Sequence, residues 1–268
     1  MRNLFDYGGE MRKRIAIVTG ASQGIGKEFV KQLLLKGIDE IWAIARNKEK
    51  LEIVKKELSE KVISIPKDLA VFEEINSLGE MLEKENPVVV WLVNNAGTAK
   101  MGLYDDFKTE EIERSIRLNC SAVAALCTMC IPYMEKGSRI INISSAASFQ
   151  PMPYLNLYAA SKAFVRYYSR GLNAELKRKG ISVTAVCPGW VDTELLMKEI
   201  NGKKVKFPGV VPPAAVVKKA LKDGERGKDM SVCSLYVKWE HLFTKLFSEK
   251  SAMNVWLKGI QKYGYTGK

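Results

Sequence analysis

The sequence contains a single histidine, His241, among 268 residues, and this scarcity limits the chemistry of the chain. A histidine-rich zinc site is excluded, and we expect no metal ion. A Ser-His-Asp hydrolase would have to use His241 itself. Any general acid or base is therefore expected to be a residue of another type.

Cysteines and long apolar runs are also scarce. Five cysteines in a chain of this length do not make a disulfide scaffold, and this usage predicts a cytoplasmic protein. The first residues lack the apolar core of a signal peptide, and residues 1–10 are expected to be an extension before the first strand. The longest nearly uncharged apolar run, residues 121–134, is too short to span a bilayer as a helix.

The net charge of +12 is unevenly distributed, with +5 in residues 1–189 and +7 in residues 190–268. Basic charge can attract nucleic acid, an anionic membrane or an acidic small molecule. The lysines are scattered, and no basic face interleaved with stacking aromatics is visible in the sequence. We therefore expect no nucleic-acid partner.

Short β-branched segments alternate with amphipathic segments of 10–15 residues, which predicts an α/β fold with a doubly wound parallel sheet. Seven strands are predicted at residues 14–18, 41–45, 62–65, 88–93, 139–143, 181–186 and 230–232. Helices are predicted at 27–35, 48–59, 72–85, 110–134, 157–179 and 213–222, on both faces of the sheet. One domain should cover residues 1–268, with a core at 12–190, an irregular lid at 190–213 and a helical extension at 236–262.

A glycine-rich turn joins the first strand to the first helix. Its glycines are Gly20, Gly24 and Gly26, and Ser22, Gln23 and Ile25 lie between them. Glycines at this place let the backbone approach a pyrophosphate, which then receives N–H groups from the helix N-terminus. The turn predicts a Rossmann-type dinucleotide site.

The end of the second strand indicates which dinucleotide is bound. An acidic residue there would bind the ribose hydroxyl of NAD, but this chain has Ala45 followed by Arg46. A guanidinium without a neighbouring carboxylate favours the extra phosphate of NADP(H). Gln23 is neutral and is expected to add no second phosphate partner.

Tyr158 and Lys162 are four residues apart and should share one helix face. An ammonium group one turn away favours the tyrosinate and should lower the pKa of the phenol, so that Tyr158 can act as general acid or base. Ser145 follows the fifth strand and Asn95 follows the fourth. Side chains at these strand ends should share one crevice.

Taken together, these motifs closely resemble those of the short-chain dehydrogenase/reductase family over residues 12–195. The motifs are residues 19–26, Asp68-Leu69, Asn94 to Gly97, Asn119, Ser145, Tyr158, Lys162 and Pro188-Gly189. The resemblance implies that Tyr158 exchanges a proton with the substrate oxygen, which Ser145 polarises. It also implies that Lys162 binds the nicotinamide ribose and that Asn119 holds a water for proton relay.

The resemblance also assigns residues to the cofactor cleft. Asp68 and Leu69 would flank the adenine, Asn95, Ala96 and Gly97 would line the cleft, and Val191 and Thr193 would contact the carboxamide after the Pro188-Gly189 turn. The implied activity is NADPH-dependent interconversion of a ketone and a secondary alcohol. A non-catalytic NADP-binding protein is the alternative from another class, although such proteins typically lack the tyrosine or the lysine.

The substrate pocket is expected between residues 146–157 and 190–211. Its apolar side chains would be Phe149, Met152, Tyr154, Trp190, Leu195 and Met197, with Leu196 and Phe207 beside them. A bulky apolar lining suits a large hydrophobic ketone or alcohol. The lid and tail resemble those of hydroxysteroid dehydrogenases and long-chain 3-oxoacyl reductases. A steroid or bile-acid substrate is the first hypothesis, and a 3-oxoacyl thioester is the alternative.

Two further expectations concern partners. The family commonly dimerises through its long fourth and fifth helices, which implies a homodimer or homotetramer here. The tail at 236–262 interleaves aromatic and apolar residues with lysines. Packing on the protein, over the pocket or on a neighbouring subunit, is the favoured interpretation, and peripheral contact with an anionic membrane is the alternative.

Overall fold

Seven strands form one parallel sheet in the computed structural model, which describes residues 12–194, 196, 199–200, 203–205 and 207–261. The strands are β1 (Arg14–Thr19), β2 (Glu40–Ala45), β3 (Val62–Pro66), β4 (Val88–Asn94), β5 (Arg139–Ile143), β6 (Ser182–Val186) and β9 (Met230–Ser231). Their order is β3-β2-β1-β4-β5-β6-β9. The chain order reverses between β1 and β4, which places a ligand crevice at their carboxyl ends. The predicted fold class is confirmed.

Helices cover both faces of this sheet. They are α1 (Gly24–Leu33), α2 (Lys48–Leu58), α3 (Phe72–Glu85), α4 (Thr109–Ile116), α5 (Ala122–Cys130), α6 (Asn156–Leu176), α7 (Pro213–Glu225), α8 (Leu235–Leu246) and α9 (Glu249–Gln261). Buried side chains of α1, α2 and α7 form a core on one face, and those of α3, α5 and α6 form a second core on the other. Side chains of β1 alternate between the two cores, because successive strand residues point to opposite faces.

The predicted helix at 110–134 is divided into segments. A π-helical segment, Arg117–Ser121, joins α4 to α5, and a short 3-10 turn follows at Ile131–Tyr133. The run Thr109–Tyr133 is long and apolar enough to cross a bilayer by composition. In the structure, Leu126, Cys127 and Cys130 from this run are buried in the core beside α3. Cys127 and Cys130 are free thiols that pack in the core.

The lid region has a paired stem. Val191 forms a parallel bridge with Val211, and the backbone N–H of Val211 donates to the Trp190 carbonyl at 3.0 Å. Between these stem residues lies a two-stranded antiparallel pair, β7 (Glu199–Ile200) and β8 (Lys203–Lys204). The sequence showed no clean period here, because strands of two residues are too short to produce one.

The C-terminal extension, predicted to be helical, consists of two helices. α8 packs inward through Val237, which lies in a small cluster with Cys187 and Val232. α9 packs inward through Trp256, whose indole N–H donates to the Pro153 carbonyl at 2.8 Å. Both helices therefore cover the region around the predicted substrate pocket.

Candidate active site

The three glycine positions of the glycine turn do not accommodate a side chain. Gly20 and Gly24 have φ angles of 64° and 55°, a conformation that side chains rarely adopt. A Cβ atom on Gly26 would lie 2.0 Å from the Gly20 carbonyl oxygen. The turn thus brings bare backbone to the α1 N-terminus, and this cradle fits a pyrophosphate group. Ser22, Gln23 and Ile25, which were predicted at the site, are partly exposed in the same turn.

The end of β4 is tied to this turn by hydrogen bonds. The Asn95 amide donates to the carbonyls of Thr19 and Gly20, at 3.0 and 3.2 Å. The Thr19 hydroxyl accepts from the backbone N–H groups of Asn95 and Ala96, at 2.9 and 3.0 Å. Asn95 and Ala96 therefore hold the turn in shape as well as lying beside it. The role of Thr19 as an acceptor was not predicted, because its partners are more than 70 residues away in the chain.

Two cations lie near the expected ribose position. Arg46 is exposed directly after β2, as predicted. The Lys50 ammonium donates to the Gln23 side-chain oxygen at 2.8 Å and lies 3.7 Å from a Glu194 carboxylate oxygen. Gln23, which was expected to add no phosphate partner of its own, accepts a hydrogen bond from Lys50, and this second cation was not predicted. The missed signal was a lysine in the first turn of α2, one helical turn after Arg46.

Asp68 and Leu69 are placed differently from one another. Asp68 accepts from Arg114 at 2.5 Å and from the Ala70 N–H at 3.0 Å. Partial burial raises the pKa of Asp68, but these bonds and the charges of Arg114 and Arg46 outweigh it and hold the pKa below its usual value. The Leu69 side chain is buried in the core beneath β3, so only the backbone of Leu69 is available to a ligand.

The four residues that the family resemblance singled out lie together at the carboxyl end of the sheet. Ser145 caps a short 3-10 helix, Ala146–Phe149, by accepting from the Ala147 N–H at 3.1 Å. Its side chain also lies near enough to the Tyr158 phenol to lower the pKa of that group. The Lys162 ammonium lies 5.7 Å from the centre of the Tyr158 ring and donates to the Ile143 carbonyl at 2.8 Å. Spacing on α6 and at the end of β5 correctly predicted this proximity.

Asn119 completes the group from the π-helical segment. Its side-chain oxygen accepts from the Thr98 N–H at 2.9 Å, and its amide donates to the Thr98 carbonyl and to the Ser161 hydroxyl, at 2.9 and 3.1 Å. π-helical turns occur frequently at functional sites, where they re-aim a side chain. A Cβ atom on Gly97 would lie 3.1 Å from the Asn119 oxygen and 3.3 Å from the Lys162 nitrogen. Gly97 thus leaves the approach to both side chains open.

The acid–base balance of the site differs from the prediction. Burial raises the pKa of Tyr158, against the lowering effect of the Ser145 side chain. Burial also lowers the pKa of Lys162, to about 8. The expected lowering of the phenol pKa by Lys162 is therefore not found in this structure. The reason is that both groups are desolvated, and desolvation disfavours the charged form of each.

The loop after β6 closes over the glycine turn. The Pro188 carbonyl accepts from the Ala146 N–H at 2.8 Å, next to Ser145. A Cβ atom on Gly189 would lie 2.5 Å from the Val237 side chain, so α8 packs directly on the Pro188-Gly189 turn. The Thr193 methyl group would lie 3.3 Å from a Cβ atom on Gly24. Val191 is buried between these contacts.

The predicted pocket residues divide into groups that face different elements. The Phe149 ring stacks on the His241 ring of α8, with their centres 4.3 Å apart, so Phe149 faces α8. The Arg166 guanidinium lies 5.3 Å from the centre of the Phe149 ring. His241, expected at the helix surface or an interface, therefore packs inward. Trp190 stacks on Phe207 at 4.0 Å within the lid. Leu195 and Met197 lie outside the described residues.

Met152 belongs to an apolar wall beside Tyr158. The other members of this wall are Leu155, Ala159, Met101, Tyr158 and Trp256. Tyr154, in the loop before α6, has a φ of 65° and accepts at its carbonyl from the Gly102 N–H at 2.9 Å. Trp256 and Met101 were not predicted, because they come from segments far from the pocket in sequence.

A shallow cleft opens next to the Tyr158 ring. It is lined by Thr98, Ala99, Lys100, Phe107, Ser115, Asn119, Leu157 and Tyr158. The side formed by α4 and the loop before it was absent from the predicted pocket. Its apolar members are too few and too widely spaced in the sequence to produce a recognisable pattern.

Comparisons with known proteins agree with this arrangement. The short chain dehydrogenase family model matches residues 14–204. The very-long-chain 3-oxoacyl-CoA reductase of Anas platyrhynchos is 39% identical over 191 residues, which cover 67% of this chain and 60% of that protein. The chain thus spans less than two thirds of that relative. The rat protein with the same name is 30% identical over 269 residues, covering 92% of this chain and 83% of the relative.

A solved structure is similar over nearly the whole chain. It is the short-chain dehydrogenase from Sphingobium yanoikuyae in complex with NADPH, with a TM-score of 0.74 and 27% identity. The alignment covers 95% of this chain and 98% of that one. Together with the family match, the glycine turn and the grouped Ser145, Tyr158 and Lys162, this result identifies the chain. It belongs to the short-chain dehydrogenase/reductase family and is an oxidoreductase with the family's nicotinamide-dinucleotide fold.

Proposed function

We propose that the chain is an NADPH-dependent reductase that interconverts a bulky hydrophobic ketone and the corresponding secondary alcohol. The observation that carries this proposal is the position of Ser145 beside the Tyr158 phenol. Tyr158 in turn lines the cleft and contacts the apolar wall. A non-catalytic NADP-binding protein would not need Asn119, Ser145, Tyr158 and Lys162 in one group. Their grouping supports an enzyme.

The roles of the side chains follow from their contacts. Ser145 and Tyr158 present two hydroxyl groups to one place, where they can hold a carbonyl oxygen and stabilise the charge that develops on it. The raised pKa of Tyr158 keeps the phenol protonated at neutral pH, so its O–H can pass a proton to that oxygen. The bound nicotinamide supplies the hydride in the reduction.

Lys162 and Asn119 are proposed to serve binding and proton relay. With a pKa of about 8, Lys162 is mostly protonated at neutral pH and can donate to a ribose hydroxyl near Tyr158. The Asn119 oxygen accepts one protein hydrogen bond, from Thr98, and has a second lone pair for a water molecule. Such a water would connect the Lys162 side to bulk solvent.

Two substrate classes are proposed. Hydroxysteroids, including bile acids, suit the bulky wall formed by Met152, Leu155 and Trp256. Long-chain 3-oxoacyl thioesters are the second candidate, supported by the similarity to the very-long-chain 3-oxoacyl-CoA reductases of duck and rat. Both classes carry a ketone, or the corresponding secondary alcohol, on a large apolar body.

The reaction is tested by replacing Tyr158 with Phe. NADPH consumption would be measured with a panel of keto-steroids and 3-oxoacyl thioesters, and NADPH binding by fluorescence. We expect turnover to fall by roughly 10³-fold or more with cofactor binding retained, because only the proton donor is lost. The matched control is Tyr167→Phe, on the exposed face of the same helix. Near-normal activity of the Tyr158→Phe variant would contradict the mechanism, and no activity of the wild type on either class would refute both substrates.

We also propose a preference for NADPH over NADH. Arg46 and Lys50 place two cations beside the glycine turn, without a carboxylate at the end of β2. The Arg46→Ser variant should bind NADPH roughly tenfold or more weakly and NADH about as well as the wild type, since only the phosphate contact is removed. Isothermal titration with both cofactors measures this. Equal losses for the two cofactors would show that Arg46 does not read the phosphate.

A further inference from the structure

Helix α8 carries an apolar stripe on its outer face. Leu235, Trp239, Leu242 and Leu246 are 73%, 71%, 45% and 69% exposed. Their spacing of four, three and four residues places them along one side of the helix. Phe247, which follows the helix, is also 54% exposed and extends the apolar surface. We call these four residues of α8 the outer stripe.

The outer stripe lies opposite the packed face of the helix. Val237 is 1% exposed and contacts the Gly189 turn, and His241 stacks on Phe149. Tyr236 is placed next to Gly209 of the lid. The helix is thus already anchored to the fold through its inner face. The outer stripe is an additional apolar surface that the described core does not use.

The charges beside the stripe are positive. Lys238 and Lys245 lie seven residues apart, which places them on the same flank of the helix, and both are exposed. The only carboxylate within α8 is Glu240, which is partly buried and hydrogen-bonded to Tyr236. Burial raises the pKa of Glu240, which is less exposed than Lys238 and Lys245. The outer face therefore presents apolar side chains flanked by two exposed lysines.

This combination indicates the occupant of the surface. A second copy of the chain would bring another lysine-flanked stripe with no exposed carboxylate on α8 to meet it. Anionic lipid headgroups supply the missing charge, and acyl chains accept leucine and tryptophan side chains. Helices that lie in a membrane interface have Trp, Phe and Leu on one face and lysine on the polar side. We propose that the outer stripe of α8 docks on the surface of an anionic lipid bilayer, with the helix lying in its plane.

The test measures binding of the full chain to phosphatidylcholine vesicles with and without phosphatidylglycerol. Sedimentation of vesicles gives the partition coefficient, and tryptophan emission reports entry of an indole into lipid. The stripe variant is Trp239→Ser with Leu242→Ser. Its matched control is Leu35→Ser with Tyr104→Ser, which removes two side chains that are 83% and 84% exposed elsewhere. A charge variant, Lys238→Gln with Lys245→Gln, is paired with Lys56→Gln and Lys84→Gln, which change the net charge equally.

The wild type is expected to bind anionic vesicles and to show a blue-shifted emission. The stripe variant should bind roughly tenfold or more weakly, because two apolar side chains no longer leave water. The charge variant should lose a similar factor and much of its preference for the anionic lipid. Both controls should bind as the wild type does, and circular dichroism should show that all variants remain folded.

Three outcomes would overturn the proposal. The wild type could fail to bind anionic vesicles, or the stripe variant could bind as well as its control. Alternatively, the stripe variant could convert an oligomer to a monomer in sedimentation velocity while vesicle binding is absent, which would assign the stripe to a second copy. None of these readings depends on the substrate, so the proposal stands or falls separately from the enzymatic activity.

Discussion

At the scale of single residues, the least common feature is the buried ammonium group of Lys162. Lys162 is 5% exposed, and its ammonium group donates a hydrogen bond to the backbone carbonyl of Ile143. Its pKa of about 8 reflects the cost of keeping the charge out of water. The folded state therefore binds fewer protons than the unfolded chain between pH 8 and the ordinary lysine pKa of 10.5. This difference makes folding stability depend on pH.

Replacing Lys162 with Met tests this dependence in the protein without added cofactor. At neutral pH the wild type carries the full cost of the buried charge, and its stability rises as pH increases from about 8 to 10.5. The stability of Lys162→Met relative to wild type should therefore decline over this interval, by as much as about 3 kcal/mol. Urea unfolding at pH 7, 8, 9 and 10, with both proteins at each pH, measures the difference. A difference that does not change with pH would show that Lys162 titrates normally.

Residue-scale prediction succeeded where the residue type and its local spacing are sufficient. Tyr158 and Lys162 share a face because they are four apart on α6, and Ser145 meets them because it ends the neighbouring strand. The direction of the Tyr158 pKa shift was wrong, because burial depends on how α6 packs and cannot be inferred from spacing. Lys50 was missed for a similar reason, since its partners Gln23 and Glu194 come from separate segments.

At the scale of elements, α9 contributes Trp256 to the apolar wall beside Tyr158. Trp256 packs against the cluster of Met152, Leu155 and Ala159, and its hydrogen bond to the Pro153 carbonyl fixes the indole there. An aromatic side chain in this position provides a large apolar contact for a bulky substrate. We therefore propose that the tail contributes to the choice of substrate as well as to packing.

The Trp256→Ala variant should raise KM for a bulky ketone roughly tenfold or more, since it removes a large apolar contact from the wall. Cofactor affinity should remain unchanged, because the glycine turn lies elsewhere. Steady-state kinetics with a large and a small ketone, together with NADPH titration, would measure both effects. The control is Val255→Ala, which truncates the exposed neighbouring residue on the same helix. An equal loss for the large and the small ketone would argue against a role in specificity.

Sequence periodicity predicted the buried strands and amphipathic helices well, because each has a residue period of its own. The π-helical segment at Asn119 was not predicted, since one extra residue per turn leaves the apolar pattern of α4 and α5 almost unchanged. The break between α8 and α9 was also missed. Apolar and basic residues continue across residues 247–248 without a glycine or proline to mark the end of a helix.

At the scale of the whole molecule, the exposed apolar residues of α4 and α6 form a second surface without a partner in the described chain. Ile116, Phe164 and Tyr167 are 43%, 42% and 67% exposed. These helices correspond to the pair that the family resemblance implied for dimerisation. Apolar patches of this kind frequently mark protein interfaces. We propose that they form the homodimer interface.

The double variant Phe164→Asp with Tyr167→Asp should dissociate the dimer, because it buries two charges at the centre of the interface. Sedimentation velocity over a range of concentrations would show a shift to the monomer. Tyr104→Asp is the control, since Tyr104 is 84% exposed on a different element. A wild type that is monomeric at all concentrations, or a double variant that remains dimeric, would contradict the assignment.

The hydrogen bond from Trp256 to Pro153 also has a consequence during synthesis. The first six strands of the sheet, the glycine turn and the Tyr158 helix all precede residue 190, so most of the nucleotide cleft can assemble while later residues are still in the ribosomal exit tunnel. The apolar wall needs an indole that is translated 103 residues after its carbonyl partner. The nucleotide cleft of a nascent chain can therefore form before the apolar wall beside Tyr158, which is completed only when Trp256 has left the tunnel.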